Sequence, residues 1–373
     1  MPLRPAGARV HGARAGAGGG GRGRGAAGDL RQAGDVLRHA QRHVRRARRL
    51  RGEAVGRVER ARGDPGVAGE AGARGLRRPG PALPGDGAAP GLRGARTVGL
   101  PFLGVGLSYR WDLNPHLARG NPGVDWLEVT PEHFLPLTPD AERRLDLLAK
   151  RYPLVGHSLE LSVGSDGVDA PGYREGLRRI TQRTKSAWHG DHLCFTRVGS
   201  LPLRALTPVP LTDEAVATCV RNVKAAREDL GVPFVVENIA YLFHTPLNTL
   251  DEAEFLRRVV EGADCGLLLD LHNLYCNAAN HGFDPYAFLD RLPLERVVQI
   301  HLAGGVTMEG LRLDSHSAPS PEEVWRLLEY VAPRCPVRGV NFEMDSGFPP
   351  FARLVEELAR ARAILQRCGA HAA

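Results

Sequence analysis

Seven short apolar runs in this chain end at, or begin beside, a residue able to bind a metal or move a proton, and this recurrence constrains the fold more than composition does. Trp126-Leu127 leads to Glu128, Pro153-Leu154-Val155-Gly156 to His157, Phe234-Val235-Val236 to Glu237 and Leu267-Leu268-Leu269 to Asp270. Val297-Val298-Gln299-Ile300 leads to His301, Val340-Asn341-Phe342 to Glu343, and His192 opens Leu193-Cys194-Phe195. Runs of this length and composition read as buried parallel strands. Polar residues at the carboxyl ends of successive strands are where a (β/α)8 barrel builds its site.

Eight strand candidates follow: Leu103–Leu107, Asp125–Val129, Pro153–His157, His192–Phe195, Pro233–Glu237, Gly266–Asp270, Val297–His301 and Arg338–Glu343. Helical patterns lie between them, at Asp140–Arg151, Tyr173–Trp188, Thr212–Leu230 and Phe351–Cys368. Thr249 with Glu252, and Ser320 with Pro321 and Glu323, have the spacing of capping boxes. Gly104-Val105-Gly106 is only a fragment of a dinucleotide-binding fingerprint. The alternation predicts an α/β TIM barrel over residues 97–373.

Residues 1–96 contain no Phe, Trp, Tyr, Ile or Cys and are rich in Gly, Ala, Arg and Pro, so they are expected to be disordered. They hold 21 Arg against seven acidic residues, which leaves residues 97–373 with 28 basic and 35 acidic side chains. The basic balance of the whole chain therefore belongs to the tail. An acidic body does not suit a phosphate-binding groove, and nucleic acid is not expected as a partner of the folded part. The tail reads as an extension outside the functional protein, from a start assigned too far upstream; the competing reading is an arginine-rich arm for nucleic acid or an acidic partner. No apolar stretch approaches the roughly 20 residues that span a bilayer, so no membrane association is expected. Six scattered cysteines without Cys-x-x-Cys spacing and no signal-peptide pattern point to the cytoplasm.

Each strand-end residue has a bland alternative: Asp270 as a helix cap, His301 as a hydrogen-bonded core histidine, Glu237 and Glu343 as halves of ion pairs. In Asp314-Ser315-His316 the two outer residues would point the same way in extended chain. Together, however, this many carboxylates and imidazoles on one rim would repel unless cations were present, and at least two metals are implied. Oxygen and nitrogen ligands without thiolate suit iron, manganese or zinc.

Asp125-Trp126-Leu127-Glu128-Val129-Thr130-Pro131-Glu132-His133-Phe134, His157-Ser158-Leu159-Glu160-Leu161-Ser162, Asp191-His192, Glu237-Asn238, Asp270-Leu271-His272-Asn273, Asn280-His281-Gly282, His301-Leu302-Ala303-Gly304 and Asp314-Ser315-His316 form an ordered series. In this series the chain resembles the DUF692 family, over about residues 100–365. The resemblance implies a xylose-isomerase-like barrel with two or three iron ions in mixed Fe2+ and Fe3+ states and O2 as co-substrate. It implies oxidation of a cysteine, or a residue near it, in a ribosomally made precursor peptide, with a separate peptide-binding partner protein in some members. Carried onto this chain, it implies metal ligands at His157, Glu237, Asp270, His301, Asp314, His316 and Glu343, with Asn273 as a further ligand. Glu237 is the expected bridging carboxylate, and Glu237, Asp270 and His301 are the expected catalytic centre. Glu132, His192, Asn238, His281 and Asp345 are expected to orient ligands or substrate. Glu132-His133-Phe134 and Asp191-His192 depart from the family's usual Glu-Asn and Glu-His at these places.

Two other classes fit the same residues: a metal-dependent sugar isomerase, epimerase or endonuclease on this barrel, and a non-enzymatic peptide-binding scaffold. An isomerase ordinarily needs a lysine or paired carboxylates to carry protons, and the chain has no lysine after Lys224.

Overall fold

The computed structural model describes residues 99–121, 123–166 and 172–369, and the segment expected to be disordered, 1–96, lies outside them. Among the described residues the strands are β1 (Gly104–Ser108), β2 (Trp126–Val129), β3 (Leu154–Ser158), β4 (His189–His192), β5 (Cys194–Val198), β6 (Leu201–Pro208), β7 (Phe234–Glu237), β8 (Gly266–Asp270), β9 (Val297–Leu302), β10 (Val306–Met308), β11 (Leu311–Leu313) and β12 (Gly339–Phe342). Eight of them close into a parallel barrel in the order β1-β2-β3-β4-β7-β8-β9-β12. The remaining four form two antiparallel hairpins, β5 with β6 and β10 with β11.

The longer helices are α1 (Pro139–Ala149), α2 (Tyr173–Thr184), α3 (Asp213–Leu230), α4 (Glu252–Ala263), α5 (Leu271–His281), α6 (Pro285–Leu289), α7 (Glu322–Val331) and α8 (Phe351–Arg367). Each long helix turns an apolar stripe to the barrel, as α8 does with Leu354, Leu358 and Leu365. No helix among the described residues is long and apolar enough to cross a membrane.

Three expectations are corrected. The fourth barrel strand ends at His192 instead of beginning there, and Cys194–Val198 belongs to a hairpin. The strand His-Gly-Asp-His turns Gly190 and His192 into the barrel and His189 and Asp191 out toward the helix layer, where Ser158 Oγ donates to Asp191 Oδ2 at 2.6 Å and lies 3.0 Å from His189 Nε2. Helix α2 stops at Thr184, because Lys185 takes a left-handed conformation (φ 52°) that frees Trp188 to enter the barrel. Helix α4 is capped by Asp251, whose side chain accepts from Glu254 N, instead of by Thr249, and α7 starts without a side-chain cap. The Thr212 cap on α3 stands as expected.

The lower half of the barrel is filled by Trp126, Val155, Trp188, Val235, Leu268 and Val298. The two indoles meet edge to face, with centroids 6.3 Å apart. Small residues make room for them: a Cβ on Gly106 would sit 2.4 Å from the Trp126 ring, and one on Gly339 2.9 Å from it. Trp188 Nε1 donates to Gln299 Oε1 at 2.7 Å, so this plug ends upward in a polar layer. Overpacking a filled core costs about 1–3 kcal/mol. Gly106→Ala is therefore expected to lower the free energy of unfolding in urea by that much, and an unchanged free energy would show that the floor is loosely packed.

Candidate metal centre

Parallel pairing sets the strand ends at matched levels: Asp270 stands opposite His301, His301 opposite Asn341, and His192 opposite Glu237. The side chains that emerge there are buried. Glu237, Asp270 and His301 expose 1% or less of their surface.

Glu237 lies between two histidine groups. Its Oε2 is 2.8 Å from His157 Nε2 and 3.3 Å from His192 Nε2, and those two nitrogens are 3.4 Å apart. Its Oε1 faces the other way, 3.6 Å from His301 Nδ1. That nitrogen is also 3.9 Å from Asp270 Oδ2 and 3.1 Å from Glu343 Oε2. Farther along the rim, Asp314 Oδ1 is 2.8 Å from both His272 Nδ1 and His316 Nε2, while His316 Nδ1 is 3.7 Å from Glu343 Oε2. Ligand atoms of His157, His192 and Glu237, of Glu237, Asp270 and His301, of Asp270, His316 and Glu343, and of His272, Asp314 and His316 converge closely enough for each group to hold an ion.

Hydrogen bonding tests whether these residues suit metal. Glu237 Oε2, Asp270 Oδ2, Asn273 Oδ1, His301 Nδ1 and His316 Nε2 are buried yet make no hydrogen bond. Several approach one another within 4 Å, so the contacts are close but lack hydrogen-bond geometry, as expected of donors aimed at a common point. Each buried unsatisfied group costs about 1–3 kcal/mol. Glu128 beside them is satisfied on both oxygens. Glu128 takes Ser108 Oγ and Asn341 Nδ2 on Oε1, both at 3.1 Å, and meets the Gln299 amide and His301 Nε2 on Oε2. A proton on His301 Nε2 given to Glu128 leaves the Nδ1 lone pair toward the cluster, the usual arrangement behind a metal-binding histidine. The donor set fits a multinuclear metal site.

The charges give the same picture. Burial opposes ionisation of Glu237, but His192, His157 and His301 outweigh it and hold the carboxyl far below its ordinary range. Burial would depress His192, and the Glu237 charge reverses this, raising it to about 9. His301 is raised well above the usual value against its own burial, first by Glu128 and then by Glu237. Asp270 goes the other way, pushed well up by burial, Glu237 and Asp314. Without a cation the site balances itself with protons, which metal binding would displace.

Of the residues expected at the site, His157, Glu237, Asp270, His301, Asp314, His316 and Glu343 gather on this rim, and His192 stands among them. Asn273 reaches it with Nδ2 3.5 Å from Glu237 Oε1. Asn238 grips the Asp270 backbone, its Nδ2 donating to Asp270 O and its Oδ1 accepting from Asp270 N, both at 2.9 Å. Asp345 sits at the edge, 3.3 Å from His316 Nδ1, and accepts from Arg110 Nε at 2.7 Å. Glu132 braces the segment after β3 through Leu159 N and the Tyr173 hydroxyl. His281 stands apart, with Nε2 2.9 Å from Tyr241 O and its ring stacked on Tyr241. His316 is in a left-handed conformation (φ 45°), so Asp314 and His316 converge across a bend instead of along extended chain. The sequence reading gave no role to Glu128, His272 or Arg110. Glu128 carried the same strand-end signal as the others and His272 lay within the Asp-Leu-His-Asn motif, whereas nothing local marked Arg110.

His189 lies between the barrel wall and α2, fully buried, with Thr181 Oγ1 at 3.2 Å on one side and Ser158 Oγ on the other. Burial lowers it to about 4. An unfolded histidine titrates near 6.5, so protons favour the unfolded chain as pH falls from 6.5 to 4. Stability is full above that window and drops by about 3 kcal/mol across it. His189→Gln is expected to flatten this part of the acid limb in urea unfolding, and parallel curves for the two proteins would contradict it.

Comparison with known proteins agrees with the resemblance in the motifs. Residues 104–366 match the family described as RiPP precursor modification enzyme MbnB/TglH/ChrH. A UPF0276 protein of Caulobacter vibrioides is 38% identical over 280 residues, covering 73% of this chain and 99% of the relative. A UPF0276 protein of Neisseria meningitidis serogroup B is 36% identical over 271 residues, covering 71% and 96%. Among solved structures, a D-tagatose 3-epimerase-like protein aligns with 71% of this chain and 96% of its own, at 16% identity and a TM-score of 0.44. The chain belongs to the MbnB/TglH/ChrH family of RiPP precursor modification enzymes.

Proposed function

We propose that this protein is a multinuclear non-haem iron oxidase that uses O2 to modify a cysteine, or a residue near it, in a ribosomally made precursor peptide. The observation that carries the reading is Glu237, whose two oxygens face separate groups of buried nitrogen and oxygen donors. That is the placement a bridging carboxylate needs. His157, His192 and Glu237 would hold one ion, Glu237, Asp270 and His301 a second, and Asp314 and His316 with His272 or Glu343 a third, with Asn273 beside Glu237. Iron in these places supplies one-electron chemistry toward dioxygen and a Lewis acid for a substrate sulfur.

The chain's own residues do the rest. Glu128 fixes the His301 ring, and Asn238 fixes the backbone that aims Asp270. Arg110 donates to Glu343 Oε1 at 2.8 Å and to Asp345, offsetting negative charge at the edge. Burial keeps water from the donors and strengthens each charge interaction. The substrate is a cysteine-containing peptide, delivered alone or by a separate peptide-binding protein.

Anaerobic reconstitution with Fe2+ is expected to load more than one iron per chain and to give oxygen uptake that depends on the peptide encoded beside the gene. Zinc or manganese with sugar turnover in its place would overturn the reading.

His157→Ala and His301→Ala are each expected to lower bound iron and to cut oxygen uptake by at least about tenfold. Either variant with full iron content and rate would remove that histidine from the ligand set.

A further inference from the structure

Arg110 follows β1 and reaches two carboxylates just past the end of β12. Its Nη2 donates to Glu343 Oε1 at 2.8 Å and its Nε to Asp345 Oδ1 at 2.7 Å, while Nη1 donates to Tyr109 O at 3.1 Å. All three guanidinium nitrogens are thus engaged, and the side chain is 12% exposed.

The guanidinium holds one oxygen of each carboxylate and leaves the other. In both residues the oxygen left over faces His316: Glu343 Oε2 lies 3.7 Å from His316 Nδ1, and Asp345 Oδ2 lies 3.3 Å from the same nitrogen. Rotating either carboxylate away would break a charge-assisted hydrogen bond, the stronger kind. This restraint matters most for Asp345, which is 48% exposed and has water as an alternative partner. A lysine ammonium would offset the same negative charge, but as a point charge on a flexible stem; the planar fork of arginine also fixes where two acceptors stand relative to each other. The ligand atoms of His157, His192 and Glu237 come from β3, β4 and β7, across the barrel from this clamp.

We propose that Arg110 is a positioning residue for one ion of the cluster, the one whose ligand atoms come from Asp270, His316 and Glu343, and that it acts through the geometry of its fork in addition to its charge. This deepens the proposed function, on which it rests for the presence of several ions. The competing role is a structural brace that ties the segment after β1 to the loop after β12.

The test is titration of the metal-free, full-length protein with Co2+, followed by its visible absorption. Arg110→Lys keeps the charge and removes the fork. It is expected to weaken one Co2+ per chain about tenfold, as loss of a partner behind a ligand does, and to leave the other ions unchanged. A titration identical to that of the unaltered protein overturns the proposal, because charge alone then suffices. Parallel weakening of every ion also overturns it, because that is the signature of a general brace. Asp345→Asn, at a half-exposed position, carries the same selective expectation and decides where Arg110→Lys does not fold. Co2+ binding is read without turnover, so absence of oxygen uptake leaves the proposal standing. An unaltered protein that takes up no more than one Co2+ overturns this proposal and the multinuclear reading together, whereas an unselective effect in the variants overturns this proposal alone.

Discussion

One buried carboxylate organises this structure. Glu237 ends β7 with 1% of its surface exposed, two imidazoles on one oxygen and a third on the other. Such a group is tolerable in a protein interior only where positive charge surrounds it, from protons on the histidines or from metal ions in their place. The barrel meets that requirement by geometry. Parallel register brings His192 level with Glu237 and His301 level with Asp270, so compensating groups arrive from neighbouring strands without long side-chain detours.

The layers beneath follow from the same constraint. A polar cluster at the top of a barrel needs a dry, filled floor, supplied here by the Trp126 and Trp188 pair with glycines at 106 and 339 opening space for it. Between floor and cluster lies a transition layer. Trp188 donates to Gln299, the Gln299 amide meets Glu128, and Glu128 meets His301. Each step is more polar than the one below, and both oxygens of Glu128 are hydrogen-bonded within this layer. Above it, Glu237 Oε2, Asp270 Oδ2 and His301 Nδ1 converge without hydrogen bonds.

How much was legible in the sequence follows from this layering. Strands β7, β8 and β9 were plain because their apolar runs face inner floor and outer helices at once, then stop at a single ionisable residue. Strand β4 lies a few residues earlier than its apolar signal because its outward positions, His189 and Asp191, are polar and its inward Gly190 has no side chain. His157, Glu237, Asp270 and His301 gathered as a group because they are strand ends, whereas His281, on α5, stands apart. Arg110 was invisible for the opposite reason: it comes from the loop after β1 and meets Glu343 and Asp345 across 233 and 235 residues of chain. Local pattern carries no trace of such a contact.

Asp270 shows why weighing a structural role against a functional one can mislead when the two are treated as exclusive. Its Oδ1 accepts from Asn273 N at 2.6 Å, which makes it the cap of α5. Its Oδ2 makes no hydrogen bond and points among Glu237, His301 and Glu343. The cap locks the carboxylate's rotation, so the second oxygen cannot turn to find another donor. A side chain free to rotate would relieve its own desolvation; this one is held in an unsatisfied position by the helix it starts. The same cap sets Asn273 one turn into α5, where its amide meets Glu237. Helix initiation and the aiming of Asp270 Oδ2 into the cluster are thus a single act of folding, and a residue whose bland role looks sufficient can be the one that fixes the geometry of the site.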